Sequence, residues 1–169
     1  MRSWLVKVGR GLSSWVFILA LLWVLPFWNS RDMATGAPPE SPATLMTGEP
    51  FRGFSGGAGP TVVYFWGSWC GVCKVMQPTL RALGEEGVSL LTVALQSGDA
   101  ATVGRYMGQE SLRGATVVDE EGIMAQRWGV RGVPAIFILD RNGLIRFSVT
   151  GYTTLWGLKA RIWLAGLDG

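Results

Sequence analysis

The stretch Trp66-Gly67-Ser68-Trp69-Cys70-Gly71-Val72-Cys73-Lys74 holds both cysteines of the 169-residue chain and decides how the rest is read. Upstream, Thr61-Val62-Val63-Tyr64-Phe65-Trp66 is β-branched and aromatic, which suits a buried strand; downstream, Lys74-Val75-Met76-Gln77-Pro78-Thr79-Leu80 has helical spacing. Cys70 is therefore expected at or just before a helix N-terminus. There, unpaired backbone N–H groups and the positive end of the helix dipole favour a thiolate over a thiol. A second thiol three residues on lies within one helical turn and can attack a mixed disulfide formed on the first, which is dithiol–disulfide exchange chemistry. A purely structural disulfide closing so short a loop would restrict the unfolded chain little. The chain has no histidine, so it cannot close a Cys/His zinc site by itself. Copper(I) on the Cys70 and Cys73 thiolates, with Met76 as a further donor, stays open as an alternative.

The length allows one domain plus a tail, and a 49% hydrophobic composition can supply a core. The net charge of +3 does not indicate a nucleic-acid partner, because four of the 15 basic residues, Arg2, Lys7, Arg10 and Arg31, precede the first acid. Residues 32–169 carry 11 basic against 12 acidic residues, so nucleic-acid binding has no electrostatic support. Two cysteines at C-x-x-C spacing, with none spare, fit redox work better than a disulfide framework.

Between Arg10 and Arg31 lie 20 uncharged residues, largely apolar from Trp15 to Trp28. At about 1.5 Å per residue such a helix covers roughly 30 Å, one bilayer core. Trp15 and Trp28 are placed as interfacial belts and Pro26 near the exit end. Arg2, Lys7 and Arg10 precede the span, so residues 1–10 are expected as a cytoplasmic tail, 11–30 as a single membrane anchor, and everything after it outside the cytoplasm. A cleaved signal peptide is the rival reading, with Ala34-Thr35-Gly36 as its small-residue site. Residues 31–44, with Pro38-Pro39 and Ser41-Pro42, read as a flexible, extended linker, and 45–169 as the folded domain.

Within that domain, residues 51–54 suggest a short edge strand and the cysteine helix should end near Leu83-Gly84. Residues 88–95 read as a second buried strand. Asp99 can cap a helix to about Met107, 115–118 is a short strand, and 123–128 a helix stopped by Gly129. The run Ala135-Ile136-Phe137-Ile138-Leu139 and residues 144–149 should pair as a hairpin around Asp140-Arg141-Asn142-Gly143. Thr153 or Thr154 caps a last helix with Leu155, Leu158, Ile162 and Trp163 as its inner face. Helices alternating with buried strands and closing on a hairpin predict an α/β sandwich around a mixed sheet.

In this arrangement the chain resembles the thioredoxin-like superfamily over about residues 48–164. The resemblance rests on Phe65-Trp66-Gly67-Ser68-Trp69-Cys70-Gly71-Val72-Cys73, on Pro78, on Gly129-Val130-Arg131-Gly132-Val133-Pro134 and on Asn142-Gly143. It is most similar to the membrane-anchored bacterial branch that includes TlpA, DsbE and the copper-sensitivity suppressor ScsD. The strand-and-helix segment over 88–118 matches the insertion of that branch, and residues 92–99 and 150–159 are similar to ScsD. The resemblance implies a thioredoxin fold preceded by one transmembrane helix. It also implies a thiol:disulfide oxidoreductase without a cofactor or metal, working on protein thiols and disulfides at the periplasmic side of a bacterial inner membrane. A membrane electron donor or acceptor and a link to copper tolerance follow from the same likeness. Cys70 would be the attacking thiol, Cys73 the resolving thiol and Pro134 a cis-proline beside them, with Trp69, Gly71, Val72 and Val133 contacting substrate. Two positions depart from the family pattern. Tyr64 stands where thioredoxin carries a buried acid, so protons on Cys73 need another route, such as water or Lys74. Ala135 follows the proline where cytochrome c maturation thioredoxins carry Glu, which weakens an apocytochrome-reducing role.

Overall fold

The computed structural model describes residues 32–167 except 42, 52 and 55–58; the expected tail and span over 1–30 lie outside them. Among the described residues no helix is long and apolar enough to cross a membrane. They belong to one compact unit, Asp32–Gly169.

Five strands form one sheet among the described residues: β1 (Thr61–Trp66), β2 (Ser89–Leu95), β3 (Ala115–Asp119), β4 (Ala135–Leu139) and β5 (Ile145–Thr150), in the order β3-β2-β1-β4-β5. The first three run parallel, β4 is antiparallel to β1, and β5 is antiparallel to β4, so the sheet is mixed. Between them come helices α1 (Gly71–Glu85), α2 (Ala100–Gln109) and α3 (Ile123–Arg127), and α4 (Leu155–Leu167) closes the unit. The fold is thioredoxin-like.

Strand side chains alternate between faces, and β1 supplies both cores. Val62, Tyr64 and Trp66 point into the layer holding Met76, Leu80 and Leu83 of α1, Val103 and Met107 of α2, and Leu158 and Ala165 of α4. Val63 and Phe65 point the other way, towards Trp128, Phe137 and α3. Because both faces are covered, β1 needs the unbroken apolar run that the sequence shows.

Local chemistry sets the helix starts. The Asp99 carboxylate accepts from the Thr102 N–H at 2.8 Å and caps α2, and the Thr154 hydroxyl accepts from the Gly157 N–H at 3.2 Å and caps α4. Buried Asp119, at the end of β3, caps α3 with both oxygens, accepting from Met124 N–H at 3.1 Å and Ala125 N–H at 2.8 Å.

Several expectations need correcting. The described residues of the Pro-rich stretch, from Asp32 on, lie on the domain rather than forming a free linker. Met33 is 5% exposed, Gly36 bridges Ile145, and Leu45 bridges Val117. The apolar side chains Met33, Ala43 and Leu45 dock the stretch against the Trp128 core. Phe51, Gly53 and Phe54 lie in no strand; Phe51 and Phe54 meet edge-to-face at 4.8 Å and Phe54 meets Trp128 at 5.4 Å. The β4–β5 hairpin, by contrast, closes as expected around Asp140-Arg141-Asn142-Gly143. The Gly143 N–H bonds the Asp140 carbonyl at 3.0 Å and Gly143 takes the left-handed φ of +79°. Trp163 is 65% exposed, so the inner face of α4 is Leu158 and Ala165 with Leu155 and Ile162 at its margins.

Candidate functional site

The polypeptide leaves β1 at Trp66, turns through Gly67-Ser68-Trp69, and enters α1 with Cys70 as N-cap residue in an extended conformation. This cap is a sulfur. The Cys73 N–H donates to Cys70 Sγ at 3.1 Å, so one of the unpaired N–H groups of the helix end is aimed at the atom where a thiolate would carry its charge. Cys70 and Cys73 are joined in a disulfide, with their Cα atoms 5.3 Å apart. Both cysteines are buried, Cys70 at 7% exposure and Cys73 at 2%, so Cys70 is the slightly more accessible residue.

From across the sheet, the loop before β4 brings Val133 to the disulfide. Its carbonyl oxygen lies 3.5 Å from Cys70 Sγ, in the position to accept from the S–H of a reduced Cys70. The Val133–Pro134 peptide is cis. Pro134 is itself buried, and its carbonyl accepts from the Gly151 N–H at 2.8 Å. Gly71 is exposed, and Trp69, Val72 and Val75, close in sequence to the buried cysteines, are exposed large apolar side chains. The structure thus gathers Trp69, Cys70, Gly71, Val72 and Cys73 at the turn into α1 and its first residues, and sets Val133, which precedes Pro134, against Cys70.

Beneath the pair, the Tyr64 hydroxyl donates to the Cys73 carbonyl at 3.4 Å. Burial, with a smaller contribution from Tyr106, pushes the Tyr64 phenol well above its ordinary range, so it stays neutral and cannot serve as the base that a carboxylate would be there. Lys74 holds its ammonium 5.8 Å from the centre of the Tyr106 ring, which stacks on Trp66. Met76, the third donor of the copper alternative, is fully buried in the core.

The residue that sequence reasoning passes over is Ser97, in the loop after β2. Its hydroxyl accepts from the Ser68 N–H at 2.9 Å and donates to the Leu95 carbonyl at 3.0 Å. The Trp69 indole N–H reaches that same carbonyl at 3.3 Å. Gln96 takes a positive φ of 46° to let the loop turn inward, unusual for a residue with a side chain. The Trp69 ring then lies over Gly67, where a Cβ would come within 2.6 Å of it. The run Gln96-Ser97-Gly98-Asp99 carries a turn signal but nothing to show which peptide it would hold.

Such a site can form and break disulfides, and the comparisons with known proteins agree with its fold. A profile of the thioredoxin-like domain matches residues 52–161, and the chain belongs to the thioredoxin-like family. It is 39% identical to a thioredoxin-like protein of Haemophilus influenzae over 110 residues, which is 65% of each chain. It is 31% identical to a thiol:disulfide interchange protein DsbE homolog of Paracoccus denitrificans over 140 residues, covering 80% of this chain and 74% of the relative. Among solved structures, a thio-disulfide isomerase from Thermus thermophilus superposes with a TM-score of 0.66 at 28% identity, covering 79% of this chain and 97% of that one.

Proposed function

We propose that this chain is a membrane-tethered thiol:disulfide oxidoreductase of the DsbE type, acting on protein disulfides and thiols at the periplasmic face of a bacterial inner membrane. The observation that carries the exchange chemistry is the Cys70–Cys73 disulfide, with Cys70 as a helix cap receiving the Cys73 N–H. In the reducing direction, the Cys70 thiolate attacks one sulfur of a substrate disulfide, forming a mixed disulfide and expelling the other substrate sulfur as a thiolate. Cys73, having lost its proton, attacks Cys70 Sγ, which releases the second substrate thiolate and closes the Cys70–Cys73 bond. The substrate gains two electrons and the protein loses two, and running the same steps backwards oxidises a substrate dithiol.

In this reading Trp69, Gly71 and Val72 form the wall against which substrate lies. The Val133 backbone pairs with an extended substrate strand, and Pro134 sets that loop. Residues 11–30 serve as the anchor and 1–10 as a cytoplasmic tail, supported by the basic residues before the apolar run. A membrane protein exchanging electrons with the pair would reset it after each turnover. A part in copper tolerance rests on the likeness to ScsD.

The test is trapping. Cys73→Ser in the full chain should accumulate DTT-sensitive adducts in membrane fractions on non-reducing gels, lost again when Cys70 is also replaced. The absence of any Cys70-dependent adduct, with stoichiometric copper(I) retained after anaerobic purification of the parent, would turn the reading to a copper carrier.

A further inference from the structure

Residues 32–34 cross the loop that brings Val133 to the cysteine pair, and we propose that this strap is a positioning element for docking protein substrates: Asp32 and Met33 hold the 129–133 loop where an extended substrate can pair with Val133. The proposal rests on the disulfide-exchange reading above and adds to it residues outside the cysteine turn and the cis-proline motif.

Four contacts carry it. The Asp32 carboxylate bonds the Arg131 guanidinium at 2.8 Å. The Asp32 carbonyl passes so close over Gly129 that a Cβ there would collide with it, and Gly129 also takes a φ of +68°. Gly129 is therefore required both by its backbone conformation and by the strap lying on it. The Ala34 N–H donates to the Trp128 carbonyl at 3.0 Å. Met33 is 5% exposed and its sulfur accepts from the Thr150 hydroxyl at 3.0 Å. Thr150 is the register partner of Ala135, one residue past Pro134, and the next residue, Gly151, bonds the Pro134 carbonyl. The strap and the end of β5 thus grip the loop from its beginning and its end, with Val133 held between them. A small disulfide needs only to reach Cys70, whereas a polypeptide must also find Val133 in register, so loosening the strap should penalise only the larger substrate.

The experiment uses the full chain with hydroxyethyl disulfide and with a disulfide-linked peptide as oxidants, and with dithiothreitol as the terminal reductant that returns the cysteine pair to the dithiol, the rate without protein being subtracted. Asp32→Asn should raise KM for the peptide by about two- to fivefold, the range of a partly exposed ion pair, with kcat little changed. Hydroxyethyl disulfide should react at the parent rate. Exchanging the charges, Asp32→Arg with Arg131→Asp, should return the peptide KM towards the parent. Met33→Ala should raise it further, and Met33→Leu, which keeps the buried volume, should rescue it. A peptide KM unchanged in all variants, or equal slowing of both oxidants, would overturn the strap's role in docking. A parent inert to both oxidants would overturn the exchange reading, and the strap proposal with it.

Discussion

At Cys70 the two protonation states meet different neighbours. A thiolate finds the Cys73 N–H at 3.1 Å, while a thiol can donate to the Val133 carbonyl at 3.5 Å. Cys73 has the Tyr64 hydroxyl bonded to its own carbonyl and is 2% exposed. Only Cys70 Sγ has a helix-end N–H aimed at it among these contacts, which supports the proposal that Cys70 is the attacking thiol. Brief iodoacetamide treatment of the reduced chain near neutral pH should label Cys70 alone, as read by peptide mass spectrometry; labelling of Cys73 first would reverse the assignment of attacking and resolving thiols. The pair itself is legible in the sequence, because a C-x-x-C after an apolar run needs only local geometry. Ser97 is not, because its function lies in reaching Ser68, 29 residues away, and serine composition says nothing about which distant peptide a hydroxyl will hold.

Among the elements, the β4–β5 hairpin turns on Asp140. Its fully buried carboxylate accepts from Asn142 N–H and Leu144 N–H, both at 2.9 Å, and from Arg146 Nε at 2.8 Å. Burial by itself would raise the Asp140 pKa. The Leu144 and Asn142 N–H groups and the Arg146 guanidinium outweigh that and hold it below the ordinary carboxylate value. A group whose folded pKa is depressed contributes stability that is fully present above the unfolded value, about 3.9, and is lost as pH falls through the folded one. Asp140→Ala should therefore cost roughly 2–4 kcal/mol near neutral pH. In urea titrations its deficit against the parent should shrink in acid, and a deficit independent of pH would show that the charge is not what matters. The hairpin is readable from Asn142-Gly143, whereas the α4 face is not. Leu155-Trp156-Gly157-Leu158-Lys159-Ala160-Arg161-Ile162-Trp163-Leu164-Ala165 is apolar around most of its circumference, so periodicity has little contrast with which to reject Trp163. Phe51 and Phe54 mislead for a related reason: aromatic residues favour strands on average, but here they complete an aromatic cluster on Trp128.

For the whole molecule, the boundary drawn from composition at residue 45 falls inside the folded unit, which begins at Asp32. Met33, Ala34, Ala43 and Leu45 pack on the same core as Trp128, Phe65 and Phe137. A chain beginning at residue 45 should unfold at least ~3 kcal/mol more easily than the full chain, from the loss of Met33 and its neighbours. Equal urea midpoints for the two would show the strap to be energetically idle. Alternation of strands and helices supplies the ingredients of the sheet correctly. No periodic pattern can announce that a Pro-rich run will be held by a few apolar side chains spaced along it.

That same run touches both rims of the sheet. Gly36 and Ile145 exchange backbone hydrogen bonds on β5 at 3.2 and 2.7 Å, and on β3 Leu45 bridges Val117 while the Met46 N–H bonds the Thr116 carbonyl at 2.7 Å. Open strand rims are templates on which foreign chains add and aggregates grow. Gly36, Leu45 and Met46 occupy backbone positions on the two outermost strands with which a foreign chain would otherwise pair, so the molecule's own polypeptide guards its sheet against being extended by another.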